Sequence, residues 1–339
     1  MSDAVKRTKR LSVSWGPLVL MAAGALLIGL AVNSALQPAE LPYEKTFVEA
    51  QPGAYKAVAL QDAGSGTPVV RKMELRTPGV RGTLATANVA TGADGRNVPL
   101  NWQNNVTEPV LFADLSENEV GTVLAAIRKH LSSDAVVLSW WDLSRKIRFI
   151  AEREAPLDDP EARGLILPNA WSEAADRIAD SERAFWGEGV PQSDEKKFTH
   201  FIDALSLDET QGSEALRTLA PGKDVYVAVH LSDIWKMAAA RPDQIEIGYK
   251  DFPGSGQSHG VRKAALEWIK EQKIDGPYAV ELVGNAARLH YLKGKKGSDM
   301  LITKILPFST SNPMQLDQLD LVYQHRGFWI YKLRTSSGA

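Results

Sequence analysis

The chain has 339 residues and no cysteine. Disulfides, cysteine-ligated zinc, iron–sulfur clusters, a cysteine nucleophile and haem attached through C-x-x-C-H are therefore excluded. A positive field is missing as well. Its 39 Lys+Arg stand against 41 Asp+Glu, a formal net charge of −2, which argues against nucleic-acid phosphates as the main partner. The six histidines, His130, His200, His230, His259, His290 and His325, form neither H-x-x-x-H nor H-E-x-x-H. Ser309-Thr310-Ser311 offers no G-x-S-x-G elbow, and Gly254-Ser255-Gly256 with Gly260 lacks the spacing of a phosphate cradle. No cofactor and no metal are expected. There is no internal repeat and no low-complexity tract. Apolar residues at 44% and charged residues at 24% are ordinary globular proportions.

What is present begins at the N-terminus. Lys6, Arg7, Lys9 and Arg10 precede an uncharged run from Leu11 to Ala39, whose apolar heart is Trp15 to Val32. About 20 helical residues span a bilayer, so this run suffices for one crossing. The basic cluster predicts a cytoplasmic N-terminus and places the main domain on the periplasmic side, with Trp15 as interfacial anchor. A cleaved signal peptide is the rival reading, with Val32 and Ser34 as its cleavage pair. No second run of spanning length occurs, so the expectation is a single-pass protein of the cytoplasmic membrane. Beyond residue 35, Lys+Arg number 35 and Asp+Glu 40, so the exported part carries −5.

The remainder divides by pattern into a linker at 36–43, an irregular β-rich module at 44–115 and an α/β domain at 116–335. Glycine and proline punctuate the module between short alternating runs such as Tyr55–Leu60 and Val69–Leu75. From Ser116 the period changes. Ser116 with Glu119 makes a capping box before a helix through Val120, Val123, Leu124, Ile127 and Leu131. Ala135–Leu138 and Val225–Val229 are continuous apolar runs of the kind buried strands show. Helices are predicted from Asp142 to about Glu152, at Ser172–Trp186, Glu195–Leu205 and Glu209–Leu219, after a Ser232 cap, and at Val261–Gln272. Strands are predicted at Gln244–Tyr249, Tyr278–Val283, Ala286–Leu292, Met300–Leu306, Asp320–Gln324 and Phe328–Leu333. The fold class is α/β or α+β, with strand–helix alternation ending in an antiparallel β meander.

The sharpest local feature is Ser139-Trp140-Trp141-Asp142, where a buried strand turns into a helix. Ligands bind at that edge of open α/β sheets. Asp142 is a natural N-cap, with Arg145 and Arg148 one and two turns on. Two adjacent tryptophans cannot both point into one core, so at least one is expected to face a groove, interface or ligand; the alternative is a capped helix with two packed tryptophans. Asp158 and Asp159 form an acidic loop suited to a cation or to helix capping. The surface expected to bind a partner or ligand is Trp140, Trp141, Asp142, Arg145, Asp158 and Asp159. Lys293, Lys295 and Lys296, among Gly294 and Gly297, suggest a basic hairpin tip, solvated or docking an acidic partner.

Two resemblances attach to these residues. Val136 to Asp142, then Ile147 and Asp158-Asp159, together with Leu321-Val322-Tyr323 and Trp329 to Leu333, resemble the W-W-D domain of oligosaccharyltransferase catalytic subunits. That family implies a similar soluble fold and an acceptor-peptide site at the tryptophans and aspartate. Its tyrosine after the aspartate is Leu143 here, and its multi-spanning catalytic part has no counterpart, so the reaction does not follow from the fold. The N-terminal anchor and Trp140-Trp141-Asp142-x-Ser144-Arg145-x-Ile147-Arg148 are similar to the HaoB-like hydroxylamine oxidation proteins. Those are encoded beside the multihaem hydroxylamine oxidoreductase of ammonia- and methane-oxidising bacteria. The resemblance implies an accessory role in nitrification at the periplasmic face, docking or supporting that enzyme, and carries over no catalytic residues. The alternatives are a small-ligand or peptide-binding domain, or an enzyme, using the groove around Trp140-Trp141-Asp142; an electron carrier is a third.

Overall fold

The structure, a computed structural model, describes residues 40–48, 69–105, 115–159, 169–188, 195–253, 259–283 and 286–334. The expected anchor at 1–35 and the run Tyr55–Leu60 lie outside these residues. No helix among the described residues is long and apolar enough to cross a membrane.

The centre is a four-stranded sheet. It contains β6 (Val136–Leu138), β7 (Val225–His230), β11 (Leu319–His325) and β12 (Phe328–Leu333) in the order β11-β12-β7-β6. β6 and β7 run parallel; β12 is antiparallel to β7 and β11 to β12. Alternate side chains of a strand point to opposite faces, and both faces of β6 and β7 are covered, which is why their runs are continuously apolar, whereas β11 alternates. On one face Leu138, Val227, Val229 and Tyr331 join a large core with Phe198, Phe201, Leu216 and Ile302. On the other, Val137, Tyr226, Ala228 and Ile330 pack against Val123, Leu124, Ile127 and Ile147.

The first face is layered by α4 (Glu195–Ser206), α5 (Glu209–Thr218) and α8 (Leu301–Ile305). The second is layered by α1 (Glu117–His130), α2 (Trp141–Lys146) and the π-helical turn Ile147–Ala151 that continues α2. Parallel pairing of β6 and β7 requires a long crossover. It carries α2, a 3-10 segment Asn169–Ala174, α3 (Ala175–Trp186), α4 and α5. After β7 come α6 (Asp233–Ala240), β8 (Ile247–Pro253), α7 (His259–Glu271), β9 (Tyr278–Val283) and β10 (Ala286–Leu292). β8, β10 and β9 form a separate three-stranded antiparallel sheet in that order.

The N-terminal β-rich segment forms a third sheet of β1 (Glu44–Val48), β2 (Val69–Arg76), β3 (Ala85–Thr91), β4 (Asn97–Pro99) and β5 (Gln103–Asn104). It does not pack as a module of its own. Met73, Ala87 and Val89 belong to the large core, and Ala90, Val98 and Leu100 to the second. Tyr43, at the end of the expected linker, is buried. β1 is pinned by Lys45, whose ammonium pairs with buried Glu182 and lies 5.0, 5.2 and 5.9 Å from the ring centroids of Tyr43, Phe185 and Trp186.

Several expectations are corrected. Met300–Leu306 is not a strand. Leu301, Ile302 and Ile305 are buried together as helical neighbours in α8, whereas a strand would send Leu301 and Ile302 to opposite faces. The terminal meander is accordingly divided: β9 and β10 pair with β8, while β11 and β12 join the central sheet. The strand expected at Gln244 begins at Ile247, because Gln244 N closes a turn on Arg241 O at 3.0 Å. The capping box does not form. Ser116 makes no side-chain cap, and Glu119 pairs with Arg326 at 3.4 Å across the β11–β12 turn. Lys293 to Gly297 is not a hairpin tip but the turn from β10 to α8. Two of its three lysines pair at the surface within the chain, Lys293 on Glu246 at 2.6 Å and Lys296 on the Asp243 carbonyl.

Two helical glycines test this packing. A Cβ at Gly212 would sit 2.4 Å from the Ala204 carbonyl of α4 and 2.8 Å from Leu301, while one at Gly121 on α1 meets nothing. We expect Gly212→Ala to lower stability by about 1–3 kcal/mol through overpacking. Gly121→Ala should raise it by roughly 0.5–1 kcal/mol through helix propensity. Urea titrations of both variants check the pair, and equal effects would contradict the close α4–α5 crossing.

Candidate functional site

Every expected site residue lies on or beside the segment that leaves β6. Trp140 is 2% exposed and Trp141 8%. Both are in the large core, as the packed alternative has it and contrary to the expectation that one faces outward. The alternation argument holds along a strand, but here the backbone changes between them. Trp140 holds the extended N-cap position and Trp141 is the first residue of α2. Their rings diverge within one core, Trp140 edge-on to Phe198 at 5.2 Å and Trp141 to Trp186 at 5.6 Å. Asp142 is not the cap; its carboxylate turns to cations instead.

Arg145, one turn on, is buried and spends its guanidinium on main-chain carbonyls. Nε donates to Asp158 O at 2.7 Å. Nη1 donates to Asn97 O at 2.9 Å and Trp186 O at 2.6 Å, and Nη2 to Gly187 O at 2.7 Å. Burial pulls its pKa down to about 10, against the pull of Asp158, so it stays charged at neutral pH. The Asp158 side chain is 2% exposed, with Arg96 at 3.3 Å and Arg148 at 3.5 Å. Asp159 has a pKa raised by burial and by the neighbouring Asp158 and Glu188 charges, against Arg145 and Arg183. The acidic loop is thus an inward-facing counter-charge.

A second network, across the C-terminal ends of β6 and β7, joins Asp142 to residues that sequence reasoning did not single out. Asp142 lies 3.4 Å from Lys146 and 3.7 Å from Lys236. Lys236 reaches Asp233 at 2.9 Å and stands 5.2 Å from the Trp140 ring centroid. Asp233 accepts from His230 N at 2.8 Å. His230 Nδ1 accepts from Ser232 N at 3.0 Å, so its proton sits on Nε2, which faces Glu281 at 3.6 Å. His290 Nδ1 accepts from the indole N–H of Trp235 at 3.0 Å, so its Nε2–H donates to Glu281 at 2.9 Å. Two imidazoles of fixed tautomer therefore converge on one carboxylate.

Burial alone would raise Asp142, but Lys236 and Lys146 hold it well below the usual carboxylate range. Burial lowers Lys146, while Lys236, between two carboxylates, is raised despite its burial. Burial works against the Glu281 anion, and the His290 hydrogen bond with the neighbouring charges overcomes it, so its pKa is lowered. Burial pulls His230 down. Gly327 completes the packing, since a Cβ there would lie 2.1 Å from His230 Nε2. Among the described residues no group of His, Asp and Glu could hold a metal.

The signal for this network was in the sequence as His230-x-Ser232-Asp233-x-x-Lys236 after a buried strand. Glu281 and His290 come together only through the β9–β10 register, which pairs Glu281 with Arg288 and so sets His290 on the diagonal. A second pattern was also passed over. Gly256-Gln257-Ser258-His259-Gly260 does have the letters G-x-S-x-G. Ser258 lies outside the described residues. The preceding strand, β8, is an edge of an antiparallel sheet, not the α/β-hydrolase context in which such an elbow is read.

Comparison with known proteins adds an independent line. Residues 8–333 match the family described as HaoA-associated protein HaoB. No curated protein matches the chain. Among solved structures, the crystal structure of the C-terminal domain of PglB from C. jejuni superposes with a TM-score of 0.36 and 13% identity. It covers 63% of this chain and 99% of that one. A superposition this loose assigns no fold.

Two outcomes are expected from the networks. Arg145→Met strands four carbonyls and weakens the screen around Asp158, and should cost about 3–5 kcal/mol in denaturant unfolding. A loss under ~1 kcal/mol would show that water replaces the guanidinium freely. Because His230 is held neutral in the fold, the unfolded chain takes up a proton near pH 6.5 that the folded chain refuses. Its contribution to stability is complete above that pH and is lost as pH falls through it. Asp142 and Glu281, with lowered pKa values, lose theirs only below about pH 4.5. Unfolding free energy measured between pH 7.5 and 5.5 should fall on acidification, and His230→Gln should flatten that slope.

Proposed function

This chain belongs to the HaoB family, and on that premise we propose that it is a membrane-anchored periplasmic accessory protein of hydroxylamine oxidation. Its exported domain docks or supports the multihaem oxidoreductase HaoA. The observation that carries the reading is the match over residues 8–333, which takes in the uncharged run Leu11 to Ala39 as well as the folded domain. Sequence supports the tether: four cations at Lys6 to Arg10 lead into the uncharged run Leu11 to Ala39.

The polar residues at the ends of β6 and β7 support a docking role. Asp142, Lys236, Asp233, His230, Glu281 and His290 hydrogen-bond or pair with one another or with adjacent main chain in a packed interior. Such a saturated network fixes the mutual placement of two sheets and so presents a stiff outer surface to a partner. Without cysteine, haem carried by this chain could not be attached through C-x-x-C-H. The redox centres in this reading belong to HaoA.

Tagged full-length protein purified from native membranes in mild detergent should bring down HaoA, visible as haem absorbance and identified by mass spectrometry. Removal of residues 1–35 should move the protein to the soluble fraction. A colourless eluate without HaoA would overturn the docking role, and a truncated protein still sedimenting with membranes would overturn the tether.

A further inference from the structure

A sheet edge is a row of open N–H and C=O groups, and folded proteins guard such edges with charge, proline, bulges, shortness or cover. Most edges here are guarded. β1 carries exposed Glu44, and β8 carries Lys250, Asp251 and Pro253. β11 has a register shift between Leu321 and Tyr323. β6 is bridged on its outer side by Glu154, whose carbonyl accepts from Val137 N at 2.8 Å. β4 and β5 have three and two residues.

β9 differs. Its sequence, Tyr-Ala-Val-Glu-Leu-Val, contains no lysine and no proline, and its register with β10 is unbroken. The one charge, Glu281, points inward; such a charge guards an edge by resisting further burial, but this one is already met by His290 and faces His230. Leu292 N donates to Pro277 O at 2.9 Å. By alternation, Ala279, Glu281 and Val283 then face β10, and Tyr278, Val280 and Leu282 direct their main-chain groups to the open side.

The open side is already used once. Ser309 N donates to Tyr278 O at 2.7 Å, and Tyr278 N donates to Ser309 Oγ at 3.2 Å. That pairing stops there. Among the described residues nothing continues it over Val280 and Leu282, whose side chains are 41% and 47% exposed.

We infer that the outer edge of β9 is the docking strand: an extended segment of HaoA adds to the three-stranded sheet as a fourth strand along Val280 and Leu282. The inference rests on the docking role proposed above and names its surface. Main-chain hydrogen bonds would supply the attachment, and apolar side chains over Val280 and Leu282 the selectivity. A second copy of this chain fits less well. The two-fold pairing that sets Val280 opposite Leu282 also sets Glu281 opposite Glu281, and directly opposed like charges destabilise a sheet. The incoming segment is therefore a different strand, apolar at alternate positions and without a carboxylate opposite Glu281.

Val280→Pro tests this directly. It removes an outward N–H while sparing the β9–β10 ladder, because proline is tolerated where the N–H points away from the sheet. Leu282→Lys places charge on the same edge. Val69→Lys, at a side chain 66% exposed on β2, is the control. Full-length proteins in detergent would be titrated against purified HaoA, with melting midpoints verifying the fold. We expect affinity to fall at least tenfold for Val280→Pro and Leu282→Lys and to stay unchanged for Val69→Lys. Unchanged affinity for well-folded Val280→Pro overturns the edge while leaving the docking role standing. No binding by the unsubstituted protein overturns the docking role and the edge with it. A wild-type dimer that Val280→Pro dissociates assigns the edge to a second copy and overturns HaoA as its occupant.

Discussion

The fold depends first on one desolvated cation. Arg145 donates to carbonyls from β4, from the loop at Asp158 and from the C-terminal end of α3, three segments far apart in sequence. Carbonyls at a helix end have no partner within the helix and carry the negative end of its dipole, so Trp186 and Gly187 are natural acceptors for a buried cation. A lysine has the charge but not the planar fork that reaches several acceptors at once. Through this contact the N-terminal sheet, the crossover and the start of α2 are held in one arrangement. Asp158, with Arg96 and Arg148 beside it, supplies the nearby negative charge that the cation would lack if it rested on carbonyls alone.

The second network has the same logic with a different purpose. It fastens the ends of the parallel strands to the three-stranded sheet. Lys236 bridges Asp142 after β6 and Asp233 after β7, and Glu281 from β9 receives His290 from β10 while facing His230 at the end of β7. Three carboxylates and two ammonium groups would leave one negative charge in the interior. The two imidazole N–H groups meet it without either ring having to be charged. Removing any member exposes a partner to the full cost of burial, which is why such networks specify one geometry rather than add much to stability.

Much of the fold was legible because most elements announce themselves by period. Val225–Val229 and Ala135–Leu138 are continuous apolar runs that only a doubly covered strand can bury, and α1, α4 and α5 follow helical spacing. Met300–Leu306 misled because its Leu and Ile content suits a strand, while the paired apolar positions 301–302 and 305–306 belong to a helix. The site was half legible. Trp140, Trp141, Asp142, Arg145, Asp158 and Asp159 were singled out as a binding surface, but polarity and aromaticity do not say which way a side chain points, and Trp140, Trp141, Arg145 and Asp158 are buried. At a strand-to-helix junction the direction changes within one residue. His230, Glu281 and His290 were invisible as a group because their meeting depends on strand register and on the docking of one sheet on another, neither of which leaves a spacing in sequence.

β9 links the interior to the surface. Successive residues of a strand face opposite ways, so Glu281 must point to the imidazoles if Val280 and Leu282 point to solvent. The same alternation that buries the carboxylate therefore leaves the edge bare of the charge that would otherwise protect it. A strand free of inward obligations could have carried lysine at its centre and closed itself to pairing. Here the position best placed to guard the edge is committed to His230 and His290. The buried network and the open edge are two consequences of a single residue order, Val280-Glu281-Leu282.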